Sequence, residues 1–229
     1  SLTCGAVSAM TASDLFESDG ANFISSRYDK DLCVAHTDGL GNHISYWLNA
    51  YPSTPFAAAA SYTYAPNRQI TALAADSTWK STMNPRTPNV LVGYTNGASN
   101  FTTWNRRFPA FSAPSTASHT YSTGDAGTIR SLLVYECLSG STPDVLVGTK
   151  STTAGRGSVE AWKGSSSIIT FAGYYIWADY SYSKTKVYPG NGSMPSDVMG
   201  EVNALALGDI NRDGRRDLII ATGTGATSG

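Results

Sequence analysis

The feature that most constrains the fold of this chain is a short pattern that occurs four times along it. Each copy consists of an Asp or Asn, three apolar residues and then a Gly or Ala, and successive copies begin 55 to 73 residues apart. The copies occupy residues 31–35, 89–93, 144–148 and 217–221. A short apolar run bounded by turn-forming residues is typical of a buried strand. Internal repetition of this kind predicts a fold built from similar β units.

Other strand patterns flank these copies. An apolar strand precedes three of them, at residues 70–74, 129–134 and 202–207. A Gly-rich turn and a second strand that ends in Trp follow three of them, at residues 43–47, 100–104 and 158–162, so that each pair forms a predicted β-hairpin. A segment rich in Ala, Ser and Tyr, such as residues 56–64, supplies a candidate fourth strand. Four strands in roughly 55–60 residues predict the blade of a β-propeller.

Two local patterns outside the repeats predict smaller features. Helical periodicity is almost absent, except at residues 11–17, where Thr11 or Ser13 is expected to cap one short turn of helix. Three cysteines allow at most one internal disulfide. We expect Cys4 to pair with Cys33, because Cys137 lies where a strand runs into a loop.

The fourth copy is preceded by a loop whose side chains suit a calcium ion. Oxygen-bearing side chains occupy loop positions 1, 3, 5 and 9, and the residue at position 7 needs to lend only its backbone carbonyl. These five positions are held by Asp209, Asn211, Asp213, Asp217 and, at position 7, Arg215. At position 6, Gly214 permits a sharp turn without a Cβ penalty. The loop therefore predicts a Ca²⁺ site.

An EF-hand opens with the same pattern, but the rest of this segment does not fit one. The EF-hand loop needs a Glu at position 12 and a helix on each side, whereas position 12 here is Ile220 within a β-branched strand pattern. What remains is a strand, then Asp-x-Asn-x-Asp-Gly-x-x-Asp-Leu, then a second strand. This arrangement resembles the FG-GAP and VCBS repeats of integrin-type and bacterial surface β-propellers. The resemblance implies an all-β propeller whose calcium loop joins the first two strands of a blade.

The resemblance covers most of the chain from about Asp31 and is strongest at residues 209–221. It implies a single partial propeller domain over residues 1–229, with about three and a half four-stranded antiparallel blades. The predicted repeats span approximately 15–65, 66–125, 126–198 and 199–229. In the third repeat Leu138 and Gly140 stand opposite Asn211 and Asp213, so that loop has too few oxygen ligands. One Ca²⁺ site of structural role is therefore expected.

Charge and composition exclude several classes of function. Lys and Arg total 16 against 17 Asp and Glu, which predicts no nucleic-acid partner. No apolar run approaches the roughly 20 residues of a membrane span, so this segment is not expected to insert into a membrane. Only 14% of residues are charged, and a polar but uncharged surface is usual in secreted all-β proteins, which predicts an extracellular or cell-surface location. No catalytic constellation is found, and His36 and His43 are expected to face each other across the first hairpin as a polar pair; the chain is predicted not to be an enzyme.

An aromatic segment at residues 171–182 is the other candidate binding surface. Tyr175, Trp177 and Tyr180 have the polar-tipped rings that stack on sugars or contact proteins, although alternation along a strand favours ordinary packing between blades. Two functions fit the chain, a surface adhesion or assembly module that contacts a protein or glycan, and a carbohydrate-binding lectin. An accessory domain of a larger secreted enzyme is a third.

The fourth repeat predicts an open edge, because the sequence ends soon after its second strand. An unpaired strand seeks a partner, so we expect self-association or pairing at that edge. The candidate donors are a downstream part of the same polypeptide, the segment 1–26, and another subunit.

Overall fold

The computed structural model describes residues 5–13, 31–47, 49, 56, 58–60, 62–76, 89–95, 97, 100–105, 117–124, 127–135, 138, 142–152, 155–171, 174–188 and 199–223. All regular secondary structure in this part of the chain is β, which confirms the predicted all-β class. Within the same residues there is no helix with the length and apolar character needed to cross a membrane.

Fourteen strands lie among the described residues. They are β1 (Ala6–Ser13), β2 (Asp31–Asp38), β3 (Gly41–Trp47), β4 (Tyr62–Tyr64), β5 (Ile70–Asp76), β6 (Asn89–Tyr94), β7 (Phe101–Asn105), β8 (His119–Tyr121), β9 (Thr128–Tyr135), β10 (Asp144–Lys150), β11 (Gly157–Phe171), β12 (Tyr174–Tyr188), β13 (Val202–Gly208) and β14 (Asp217–Thr222).

These strands form four antiparallel sheets in chain order. The first sheet is β1–β4, the second β5–β8, the third β9–β12 and the fourth the hairpin β13–β14. The predicted strands are confirmed: the four copies of the pattern begin β2, β6, β10 and β14, and the Trp-bearing segments lie in β3, β7 and β11. The candidate fourth strand at residues 56–64 is confined to Tyr62–Tyr64.

The first sheet contains a strand that the sequence pattern did not reveal. Residues 6–13 form β1 and pair with β2, so Thr11 and Ser13 lie in a strand and a helical turn that begins after Thr11 is wrong. Residues 14–17, where a turn capped by Ser13 would lie, are outside the described residues. The pairing of β1 with β2 occupies residues 6–13 of the segment 1–26 that was a candidate donor for the open edge. The predicted disulfide is also wrong, because Cys33 is a free, fully buried thiol that lies opposite Thr11. Cys4 is outside the described residues.

The first strand of every sheet has the same irregular register. A bulge follows the first aliphatic position, so that Val7, Ile70, Ile129 and Val202 occupy equivalent places. Three residues further on, Met10, Leu73, Leu132 and Leu205 are likewise equivalent. Since bulges re-aim the strand locally, a bulge at one place in all four sheets gives each sheet the same first-strand surface.

Successive sheets pack face to face through three hydrophobic cores. One core joins the first and second sheets, one the second and third, and one the third and fourth. The first strands are neighbours in series, β1 beside β5, β5 beside β9 and β9 beside β13. Among the described residues no core joins the first sheet to the fourth. The described residues therefore form a series of three four-stranded sheets and one two-stranded hairpin, and no hydrophobic core among them closes the series.

The small residue that ends each copy of the pattern has a packing role. A Cβ atom on Gly93 would lie 2.5 Å from Cγ2 of Ile129, and one on Gly148 would lie 2.6 Å from Cγ1 of Val202. Each glycine therefore seats the first aliphatic residue of the next sheet. In the first sheet the equivalent residue is Ala35, which shares a core with Ile70.

Candidate functional site

The predicted calcium loop lies between β13 and β14, and its residues 209–216 have no buried member. The two strands pair from Gly208 opposite Asp217 outward, so the hairpin holds the two ends of the loop side by side. The loop therefore projects from a fixed β framework. Position 1 of the predicted ligand set directly follows β13, and position 9 is the first residue of β14.

The predicted ligands turn their side-chain oxygens towards the loop backbone. Both carboxylate oxygens of Asp209 accept hydrogen bonds, Oδ1 from the Asp213 amide and Oδ2 from the Gly214 amide, each at 3.0 Å. Oδ1 of Asn211 also accepts from the Asp213 amide at 3.0 Å, and Oδ1 of Asp213 accepts from the Arg215 amide at 2.8 Å. Three side chains at alternating positions are thus held on one side of the turn.

The fourth side-chain ligand closes the loop from its other end. Oδ2 of Asp217 accepts a hydrogen bond from the Ile210 amide at 2.9 Å, across seven residues of chain. The remaining predicted ligand is the backbone carbonyl of Arg215. Among the described residues, no backbone amide in a turn or loop donates a hydrogen bond to it. The structure thus brings all five predicted positions into one tight loop.

Two residues of the loop adopt the left-handed backbone conformation. Gly214 has φ +82°, as predicted for a glycine at position 6, and Arg212 has φ +60°. A positive φ is unfavourable for a residue with a Cβ and costs on the order of 1 kcal/mol or more. The hydrogen bonds that the adjacent Asp213 amide donates to Asp209 and Asn211 hold this conformation in place.

The charges of the loop are balanced within the sequence itself. Three aspartates alternate with Arg212, Arg215 and Arg216 between residues 209 and 217. The guanidinium of Arg216 lies over the ring of Tyr135, 4.8 Å from its centroid, and so connects the loop to the third sheet. A cation over an aromatic face contributes about 0.5–1 kcal/mol at an exposed position.

The predicted ligand atoms of the loop are all oxygens, which suit a hard cation, but its carboxylates do not form a compact metal-binding group. Within the described residues, no three His, Cys, Asp or Glu side chains form a group that could hold a metal ion. The predicted set, however, draws two of its five oxygens from an amide and a backbone carbonyl, which are common ligands of Ca²⁺. In their chemistry, these five donors are therefore oxygen ligands of the kinds that Ca²⁺ takes.

The aspartate that begins the pattern has a structural role in other sheets. Oδ1 of Asp31 accepts from the Asn49 amide at 2.9 Å, and Oδ1 of Asp144 accepts from the Gly164 amide at 3.0 Å. In both sheets the donor lies two residues after the Trp of the third strand. Oδ2 of Asp144 also accepts from the Leu138 amide at 2.5 Å. This aspartate therefore ties the preceding loop to the third strand even where no calcium loop is predicted.

The aromatic candidate surface lies on a ribbon of two long strands. Beyond Trp162, the last residue of β11 that pairs with β10, β11 continues and pairs with β12 alone. Trp177 pairs with Ile169, Tyr175 with Thr170 and Tyr180 with Ser166. Residues 174–182 of the segment therefore lie in β12 and Phe171 ends β11, while the side chains of Tyr175, Trp177 and Tyr180 lie outside what the structure describes.

A buried carboxylate between the second and third sheets was missed in the sequence. The side chain of Glu160 is 1% exposed; Oε1 accepts from the Gly124 amide at 2.7 Å and Oε2 from Nε1 of Trp162 at 3.0 Å. Nζ of Lys184 lies 3.6 Å from Oε1. The sequence offered one signal, which is the position of this residue two places before a Trp. In the first three sheets that position is held by a polar residue, and all three are buried: Ser45, Thr102 and Glu160.

The two histidines of the first hairpin pair as predicted. His36 lies opposite His43, and their rings stack with centroids 5.3 Å apart. Nε2 of His36 is 2.9 Å from Oγ of Ser45, and Nε2 of His43 is 3.0 Å from Oδ1 of Asp38. Burial, followed by the neighbouring His43, lowers the pKa of His36. Because Ser45 is itself buried, this arrangement offers no accessible nucleophile.

Comparison with known proteins adds no family assignment. No family model matches the chain, and no curated protein matches it.

Proposed function

We propose that this chain is a non-catalytic, calcium-binding β-propeller module of the FG-GAP and VCBS type, which acts outside the cell in surface adhesion or as a building block of a surface assembly. The observation that carries the proposal is the loop between β13 and β14. Its five predicted ligand positions, the left-handed Gly214 and the strand on either side coincide in one hairpin.

The arrangement of the sheets supports a propeller. Three four-stranded meander sheets and a two-stranded hairpin follow one another, each first strand lies beside the next, and each sheet packs on its neighbour through a hydrophobic core. Sheets that fan out from adjacent first strands are the blades of a propeller, which typically has four to eight of them. In this arrangement the fourth hairpin is the inner half of a blade.

The calcium ion has a structural role in this proposal. It would be held by Asp209, Asn211, Asp213, Asp217 and the carbonyl of Arg215, and it would neutralise three carboxylates within nine residues of chain. The β13–β14 hairpin holds both ends of the loop only in the folded state, so calcium binding stabilises that state by an amount that rises with the logarithm of calcium concentration. We assign the site no catalytic step.

The test is thermal unfolding with calcium and with chelator. Calcium sites of extracellular modules have dissociation constants of about 0.1–1 mM, so 10 mM Ca²⁺ stabilises the fold by about 1.5–3 kcal/mol. For a chain of this size that is a rise in Tm of roughly 3–10 °C. The Asp213→Ala variant is expected to have the same Tm in both conditions.

The matched control is Asp38→Asn, in the exposed turn between β2 and β3. Asp38 also accepts a backbone hydrogen bond, from the Leu40 amide at 2.8 Å, but lies outside the calcium loop. This variant should keep the full response to calcium. An unchanged Tm for the wild-type protein in Ca²⁺ and in EDTA would refute the calcium proposal.

A second candidate function is carbohydrate binding by the β11–β12 ribbon. The observation in its favour is that the ribbon extends beyond β10, so residues 163–171 have no strand on their other side among the described residues. Trp177→Ala should then abolish binding on a glycan array, with Trp104→Phe, whose ring belongs to the first core, as a control for general damage. An array without any bound glycan would eliminate this candidate and favour the structural role.

A further inference from the structure

The two ends of the sheet series carry the two halves of one repeated interface. Wherever two sheets meet in this chain, a first-strand aliphatic residue of the later sheet packs over the small residue that ends the pattern in the earlier sheet. Val202 lies over Gly148, and Ile129 lies over Gly93. Leu205 adds a second contact, 3.4 Å from a Cβ placed on Gly148. We call the face of a sheet that packs towards the preceding sheet its leading face, and the face that packs towards the following sheet its trailing face.

The leading face of the first sheet has no partner among the described residues. Val7 and Met10 are 54% and 69% exposed. Their equivalents in the third sheet, Ile129 and Leu132, are 0% and 8% exposed, because the second sheet covers them. The register is the same in both sheets. The exposure of Val7 and Met10 therefore reflects a missing neighbour, since the residues themselves match the interface pattern.

Among the described residues, the trailing face of the fourth sheet lacks a neighbour in the same way. Ala221 is equivalent to Gly148, and Ile219 is equivalent to Leu146, because each pattern begins its strand at the aspartate. Ile219 is 41% exposed and Ala221 is exposed, whereas Leu146 is 5% exposed beneath the fourth sheet. The small residue needed to seat a β-branched side chain is thus present and uncovered.

We propose that a second copy of this chain docks head to tail, with Val7 and Met10 of one copy packed on Ala221 and Ile219 of the other. The contact continues the interface that already joins the four sheets. An alanine at the seat is compatible, because Ala35 occupies that place between the first and second sheets, and Val7 matches Val202, which already fills one seat.

Two copies offer two such contacts, because each brings one leading and one trailing face. A head-to-tail contact closes into a ring when the rotation between copies permits it. Two series of four sheets give eight, which is within the range of propeller blade numbers. This inference rests on the propeller part of the proposed function and is independent of calcium.

The first test is the molar mass in solution, measured by light scattering after size-exclusion chromatography over a dilution series. The wild-type chain should have twice the monomer mass at micromolar concentration. A leading variant, Val7→Asp with Met10→Asp, and a trailing variant, Ala221→Arg, should each be monomeric. These residues are exposed in the single chain, so the substitutions leave its cores intact.

A mixing experiment separates head-to-tail docking from other contacts. An equimolar mixture of the leading and trailing variants retains one intact contact and should recover a particle of twice the monomer mass. A dimer formed by contact between two leading faces would not be recovered by mixing the two variants. The control is Leu40→Asp, which removes a side chain that is 91% exposed in the turn between β2 and β3 and should leave the dimer unchanged.

The outcomes are decisive for this inference. A wild-type monomer at all concentrations, a dimer that persists in the leading variant, or a mixture that stays monomeric would each overturn it. All samples are measured in Ca²⁺ and in EDTA. A dimer in both conditions supports head-to-tail docking even if calcium proves not to bind, and a monomer whose Tm rises with calcium refutes docking while the calcium site stands.

Discussion

A single methyl group tests whether the glycine of the repeated pattern is there to seat the next sheet. Gly148 is buried in β10, and no positive φ is found there, so alanine fits its backbone without strain. The added Cβ would lie 2.6 Å from Cγ1 of Val202, whereas ordinary contacts begin at 3.4 Å. Either the third and fourth sheets separate by about 0.8 Å or the Val202 side chain moves.

The expected cost follows from this overlap. Inserting one methyl group into a packed core costs about 1–3 kcal/mol. Replacing glycine with alanine also removes about 0.4–1 kcal/mol of unfolded-state entropy, which offsets part of that cost. We expect Gly148→Ala to lower the free energy of unfolding by about 1–2 kcal/mol. The matched control is Gly39→Ala, where nothing lies within 4 Å of the added Cβ and stability should be unchanged or slightly higher.

A double-mutant cycle assigns the cost to the contact between the sheets. Val202→Ala alone should lower the free energy of unfolding by about 1.5 kcal/mol or more, because it removes buried aliphatic surface. In the double variant the two changes relieve each other, so its loss should be smaller than the sum by about 1 kcal/mol. Urea unfolding followed by Trp fluorescence measures all four proteins. A Gly148→Ala variant as stable as Gly39→Ala, or strictly additive losses, would refute the packing role.

Two further predictions concern buried polar groups. Asp144→Ala should destabilise the fold by about 1.5–3 kcal/mol, because the amides of Leu138 and Gly164 lose a charged acceptor, while Asp144→Asn should lose less; equal urea midpoints for the two variants would contradict this role. Because the pKa of His36 is lowered in the folded state, the unfolded chain takes up the proton first, so stability should fall as the pH drops through about 6.5. Unfolding midpoints at pH 8, 6 and 5 measure this slope, and His36→Gln should flatten it; a slope unchanged in that variant would assign it to another group.

The sequence determined the local β structure of this protein. Each copy of the pattern starts a strand at its Asp or Asn, because a short apolar run bounded by turn formers favours a strand. The spacing of Asp209, Asn211 and Asp213 likewise fixes a turn, because short polar side chains bond to backbone amides two to five residues away. These are interactions between near neighbours, so the one-dimensional pattern contains them.

Only the tertiary structure decided which strands pair and which side chains pack against each other. A helical turn was expected within residues 11–17, but the pairing of Thr11 with Cys33 places residues 11–13 in a strand, since a backbone hydrogen-bonded to β2 overrides a weak local capping preference. Glu160 is buried because the second sheet closes over it and the Gly124 amide donates a hydrogen bond to it; the sequence shows only that a polar residue stands two positions before the Trp. The same holds for Val7 and Ile129: one aliphatic position in one register is exposed in the first sheet and buried in the third, because burial depends on the neighbouring sheet and not on the residue.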